Sequence, residues 1–246
     1  MTSMAGKEDL DLYHEGYGDD QIFSYDMKIW MHWYVRRLRE ILKGESCLEL
    51  GIGHGYTTST FSKLFKRYAV IEGSEAMIKR YFDLFNDPNV HIEKGYFEDF
   101  STNDKFDVIL MGYVLEHVDD PEGILNKYKA YLAEKGSMIV VVPNGSALNR
   151  RFGLRAGYIK SLDEMSPFDI KCGHKRTFTY ESIVELVRKC NLAIERCEGI
   201  FLKCMSTEQM IKLEMPESII NAMCEVAVDY PELSACVLLE LKDRKY

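Results

Sequence analysis

Three glycines, Gly51, Gly53 and Gly55, alternate with other residues in CLELGIGHGYTTS (47–59), directly after an apolar run that contains the acid Glu49. Glycine adds nothing to a core, so such a run lets bare backbone come close to a ligand. Gly51 permits a sharp turn, Gly53 a close approach, and Gly55 a helix that starts tight against the strand. A second acid, Glu72, ends the next apolar run 21 residues beyond Gly51, followed by Gly73, Ser74 and, a helical turn later, Met77. A carboxylate there can accept both hydroxyls of a ribose. After a third run come Gly95 and Tyr96, then Phe97 as a flat wall for a base, with Glu98 or a backbone amide reading its edge. Gly112 and Tyr113 follow the fourth run, and His117 stands just beyond them. Together these residues describe a nucleoside site with an imidazole at its mouth. An unshifted imidazole, with a pKa of about 6.5, suits general-base work.

His117 has a plainer reading, as a residue that caps the next helix or orders its loop. His174, in KCGHKRTFT, is the second candidate base, with an exposed loop histidine as its alternative. The stretch 149–176 carries Arg150, Arg151, Arg155, Lys160, Lys171, Lys175 and Arg176 against Asp163, Glu164 and Asp169. A basic insert in an acidic chain points to an anionic substrate, phosphorylated or nucleotide-linked, because guanidinium pairs well with phosphate. Arg150, Arg151, Lys175 and Arg176, with Asn144 ahead of them, are the expected substrate contacts; a solvated loop is the competing reading. Tyr13 and Tyr17, with Phe23, are expected to form a flap that excludes water. Seven cysteines show no CxxC pair, and no Cys/His spacing suits zinc. Free thiols and no metal are expected.

These residues need a scaffold that brings strand ends to one edge. Apolar runs at 46–51, 68–73, 90–95, 106–112 and 137–144 alternate with helical stretches at 57–67, 75–86 and 121–134. That alternation predicts βαβ units and a parallel sheet covered on both faces. Every cluster named above falls at a strand's C-terminal end, the edge where such sheets bind ligands. Residues 145–177 show little periodicity and read as a lid or binding segment. A helix at 180–190, a strand at 193–203, a helix at 216–228 and a strand at 236–242 follow. An amphipathic helix at 22–42 carries Trp30, Trp33, Tyr34, Leu38 and Ile41 as a core stripe that also roofs the site. The chain reads as one domain: an N-terminal helical cap (1–45), a cofactor-binding core (46–144), a substrate lid (145–178) and a C-terminal part (179–246).

With 246 residues and a formal net charge of -8, the chain is a poor match for nucleic acid. It has no apolar run near the roughly 20 residues that span a bilayer, and its polar start has no signal core. A cytoplasmic protein with a small-molecule partner is expected, and a homodimer stays open.

ELGIGHG, VIEGSEAM, GYFEDF, DVILMGYVLEHVDDP and SMIVVVPN, in this order, resemble the successive motifs of class I S-adenosylmethionine-dependent methyltransferases, small-molecule branch. The resemblance implies a Rossmann-like, seven-stranded, mostly parallel sheet with helices on both faces and an antiparallel last strand. It implies S-adenosyl-L-methionine as cofactor. Glu49, Gly51, Gly53 and Gly55 would surround its methionine and ribose, and Glu72 would hold the ribose hydroxyls beside Gly73, Ser74 and Met77. Phe97 and Glu98 would take the adenine, and the backbone of Gly112 and Tyr113 the sulfonium. Tyr96 stands where the family often has Asp, which moves the adenine contact to Glu98. The implied activity is methylation of an oxygen on a small anionic metabolite, with His117 or His174 as base. Methylation of a small amine and a catalytically silent cofactor binder are the alternatives. The glycine spacing departs from the dinucleotide fingerprint, which speaks against a dehydrogenase.

Overall fold

Strands that lie between two layers of helices read as unbroken apolar runs, because both of their faces are buried. The computed structural model describes residues 9–17, 21–85, 87 and 90–245, apart from the side chains of 14–17 and 21–24. The apolar runs form β1 (Ser46–Leu50), β2 (Arg67–Glu72), β3 (His91–Lys94), β4 (Phe106–Gly112), β5 (Leu132–Pro143), β6 (Leu192–Ile200) and β7 (Cys236–Asp243). They make one seven-stranded sheet in the order β3-β2-β1-β4-β5-β7-β6. β1 to β5 pair in parallel, and β7 runs antiparallel to both of its neighbours.

Alternate residues of the central strands enter two cores. Leu48, Leu50, Met138, Val140, Val142 and Leu239 face one; Cys47, Val108, Leu110, Ile139, Val141 and Leu238 face the other. Phe106 pairs with Leu132 but Val108 with Ser137, so β5 bulges out between these pairs, and Phe106 shares a core with Ile109. The first core is closed by α4 (Pro121–Lys129) and α7 (Tyr180–Lys189), the second by α1 (Gln21–Ile41), α8 (Thr207–Lys212) and α9 (Glu217–Ala227). α2 (Tyr56–Phe61) follows β1 and α3 (Glu75–Phe85) follows β2.

The segment expected to lack regular structure contains two short helices, α5 (Leu148–Arg155) and α6 (Pro167–Lys171). α6 opens with a capping box between Ser166 and Asp169 and has Pro in its first turn. α8, also unforeseen, opens with a capping box between Ser206 and Gln209. A 3-10 helix, Leu10–Tyr17, lies ahead of α1. No helix among the described residues is long and apolar enough to cross a membrane, and all seven cysteines are free.

Candidate active site

The C-terminal ends of β1, β2 and β4 and the loop after β3 open into one cavity of about 870 Å³. It is large for a small-molecule site. The glycine loop forms one wall. Gly51, Gly53 and Gly55 all have positive φ, at 75°, 52° and 79°. A Cβ on Gly53 or on Gly95 would meet nothing within 4 Å, so both leave empty space against bare backbone. Gly55 is different: its Cβ would stand 2.5 Å from Phe85 Cε2 and 2.7 Å from Tyr81 Cδ2, so the fold itself requires this glycine.

Glu72 projects into the cavity from the end of β2. Its two carboxylate oxygens accept the Ile52 N–H at 2.9 Å and the Ser74 N–H at 2.8 Å. Each oxygen keeps a lone pair for a further donor. Burial raises the pKa of Glu72, and these amide hydrogen bonds oppose the rise. Gly73, Ser74, Met77, Phe97 and Glu98 line the same end, and Lys127 Nζ holds the Glu98 carbonyl at 2.6 Å. A carboxylate with acceptor capacity to spare, an aromatic wall and two glycines whose Cβ positions are open fit a sulfonium nucleoside at this end.

Glu49 lines the cavity floor. It accepts hydrogen bonds from the hydroxyls of Thr57, of Thr58 at 2.6 Å and of Tyr68 at 2.8 Å. Burial pushes its pKa up to about 7, against the pull of those three donors.

Gly112 and Tyr113 stand between this end and a second one. A Cβ on Gly112 would lie 2.2 Å from the Tyr34 hydroxyl, so α1 packs on bare backbone here. Tyr113 has φ at 60°, a conformation that costs a bulky residue about 1–2 kcal/mol. The Tyr113 N–H donates to Val141 O at 2.8 Å, and its ring stacks on Trp30 at 6.3 Å and meets Tyr34 edge-on at 5.8 Å. The aromatic stripe of α1 is thus both core and roof: Trp33, Tyr34, Leu38 and Ile41 are buried, and Trp30 lines the cavity.

The second end is bounded by Glu116, His117, Asp169 and His174, all of which line the cavity. The His117 and His174 rings meet edge-on at 4.8 Å. The loop 173–176 is laced to 115–119. The Lys175 N–H donates to Glu116 O at 2.8 Å, and the Arg176 guanidinium donates to the carbonyls of Leu115, Val118 and Asp119. His117 Nδ1 lies 3.2 Å from Gly173 O. A carbonyl only accepts, so Nδ1 carries the proton and Nε2 keeps its lone pair. His174 Nδ1 lies 3.3 Å from Asp169 Oδ1. Burial drops the pKa of His117 to about 4. Burial also works against protonated His174, but the hydrogen bond to Asp169 and the charge of Glu116 outweigh it and hold its pKa above the usual value. Burial pushes Glu116 up to about 7. At 1% exposure, neither of its carboxylate oxygens has a hydrogen-bond partner among the described residues.

The structure thus brings both histidines together. Glu116 and Asp169, which complete their cluster, were not foreseen as site residues. Glu116 directly precedes His117 in the sequence, and Asp169 is the third helical residue after the cap Ser166, so both carried a signal. Asp26 was also missed as a site residue. A side cavity of about 210 Å³ joins this end and shares Asp26, Trp30, Glu116, Asp169 and His174 with the main one. Asp26 Oδ2 takes Lys203 Nζ and the Thr207 hydroxyl, each at 2.7 Å, while Oδ1 has no partner among the described residues.

The expected substrate cations are placed differently. Arg150 lines the side cavity, but its guanidinium donates to the carbonyls of Gly145, Leu162 and Glu164. Arg151 lines neither cavity and donates to Ser146 O at 2.7 Å. Lys175 reaches the main cavity and pairs with Asp119 at 2.8 Å. Asn144 is buried, tying the carbonyls of Pro231, Glu232 and Ser234 together. Tyr13 lines the cavity and packs on Gly173. The side chains of Tyr17 and Phe23 lie outside the described residues.

A family profile described as a methyltransferase domain matches residues 23–196. A search of curated proteins found no significant match. Among solved structures, an S-adenosylmethionine-dependent methyltransferase of Thermotoga maritima superposes with a TM-score of 0.68 at 20% identity, over 95% of this chain and 98% of its own. The N-methyltransferase NodS of Bradyrhizobium japonicum, bound to S-adenosyl-L-homocysteine, gives 0.60 at 14% identity, over 96% of this chain and 100% of its own. DhpI, also in complex with S-adenosyl-L-homocysteine, gives 0.59 at 16% identity, over 96% and 95%.

Proposed function

Since the chain belongs to the methyltransferase-domain family and is an S-adenosylmethionine-dependent enzyme, we propose that it methylates an oxygen of a small molecule held at the Glu116–His117–His174 end of the cavity. S-adenosylmethionine supplies a methyl group already activated on a sulfonium. The chain's own task is to orient an acceptor atom and take its proton. His174 is the base in this reading: Asp169 fixes its ring, and the other nitrogen is left for the acceptor. His117 is held neutral and accepts a hydrogen bond through Nε2. The glycine loop and Glu72 bind the nucleoside. Glu49, sealed by three hydroxyls, anchors the loop from below, and Trp30 and Tyr113 wall the acceptor from water.

The cations of the insert give an anionic substrate little support, because Arg150, Arg151 and Arg176 are spent on carbonyls. One observation favours a second reading. The unpartnered oxygens of Glu116 and Asp26 suit the N–H donors of an amine acceptor. The observation that carries the first reading is the Asp169–His174 pair, with His174 in edge contact with His117 on the cavity wall. Replacing His174 by Asn tests it. Loss of at least a hundredfold in kcat, with unchanged affinity for S-adenosylhomocysteine, is expected for an oxygen acceptor. Near-normal turnover would move the assignment to nitrogen.

A further inference from the structure

We propose that Glu116, His117 and His174 form a binding site for one divalent first-row transition-metal ion at the acceptor end. One donor atom from each residue lies within 4.8 Å of the others, on the wall of the main cavity. Bonds of about 2.0–2.2 Å to a shared ion would draw the donors to roughly 3.0–3.5 Å apart. That closure needs about an ångström of movement from each side chain.

Three features mark the cluster as more than adjacent polar groups. Glu116 is buried with both carboxylate oxygens unpartnered, a costly state that a cation relieves. His117 donates Nδ1–H to a backbone carbonyl, and His174 faces a carboxylate through Nδ1. Metal-ligating histidines are oriented in this way, each presenting the other nitrogen to the ion. Two imidazoles and one carboxylate are a donor set for iron(II), cobalt(II), manganese(II) or zinc(II), and three protein donors leave positions open for an oxygen ligand. Arg176 and the Lys175 amide hold the two loops that carry the donors.

The inference rests on the reading of this end as the acceptor site. With the ion bound, His174 is a ligand rather than a base, and an acceptor hydroxyl coordinated there is acidified by the ion.

The test uses the full chain, stripped with a chelator and titrated with cobalt(II) under visible spectroscopy, with stoichiometry by elemental analysis. One ion per chain with ligand-field absorption is expected. Glu116→Gln and His174→Asn should each weaken binding at least tenfold, while calorimetric affinity for S-adenosylhomocysteine shows that both variants are folded. A wild-type chain that retains no ion overturns the proposal, as does binding that both variants keep. A thiolate-to-cobalt charge-transfer band also overturns it, since it would place the ion on Cys172 in the same cavity. Full methyl transfer by the stripped wild type counts against the ion yet leaves the acceptor-site reading standing; failure to bind S-adenosylhomocysteine at all sinks the latter instead.

Discussion

Two glycines two residues apart do different work. Gly53→Ala places its methyl in open cavity space, so only the φ of 52° costs the fold, about 1–2 kcal/mol. The variant should unfold within several degrees of the parent while its affinity for S-adenosylhomocysteine falls at least tenfold, by calorimetry. Gly55→Ala drives its methyl into Tyr81 and Phe85 and should cost about 3 kcal/mol before any ligand is added. Glu49 gives a prediction in pH. Its folded pKa of about 7 lies above its ordinary value of 4.5. The buried protonated acid therefore stabilises the fold fully below pH 4.5, and that stability is lost as pH rises through about 7. Glu49→Gln removes the titration. In denaturant melts of cofactor-free protein, the variant should gain roughly 2–3 kcal/mol on the parent between pH 5 and pH 8. A constant difference across that range would refute the assignment.

At the scale of elements, the loop 173–176 is a clasp. Arg176→Ala frees the carbonyls of Leu115, Val118 and Asp119 and loosens both histidines at once. A loss of about 1–3 kcal/mol in stability is expected, with a fall in kcat larger than the change in cofactor affinity. Arg150→Ala strips donors from three carbonyls around α5 and should lower the melting temperature while KM for the acceptor stays put. Much of this layer was legible in the sequence. Strand and helix periods gave β1 to β4 and α1, α3, α7 and α9 nearly to their ends, because each buries a regular stripe. β5 starts at Leu132, ahead of the expected 137, because Leu132 pairs with Phe106 before the register shift; the helix before it therefore stops at Lys129. α5, α6 and α8 were missed because helices of 5–8 residues are too short to show a period. α6 and α8 had a signal in their caps, Ser166 with Asp169 and Ser206 with Gln209, whereas α5 follows Ala147 and has no side-chain cap. The basic insert is legible only in part: sequence shows how many cations a segment has, but not that backbone carbonyls take Arg150, Arg151 and Arg176.

Across the whole molecule, the residues expected to hold the cofactor line one cavity, because strand ends must gather at one edge of the sheet. The other end joins residues more than fifty positions apart, Glu116 with His174; each carries a local signal in the sequence, but only tertiary packing shows that they meet. The 3-10 helix Leu10–Tyr17 spans both halves. Asp11 accepts the Ser74 hydroxyl at 2.6 Å and the Ala76 N–H at 3.1 Å beside Glu72, Leu10 covers Gly73, and Tyr13 rests on Gly173 next to His174. Asp11→Ala should raise the dissociation rate of S-adenosylhomocysteine severalfold in stopped-flow exchange, with less change in the rate of methyl transfer. A tie over both compartments is expected to order each cycle, with the nucleoside seated before the acceptor and the spent nucleoside leaving last, which product-inhibition patterns would check. Turnover would then be paced by the residence time of the demethylated cofactor, and a cell's ratio of charged to spent cofactor would act as a throttle on this enzyme.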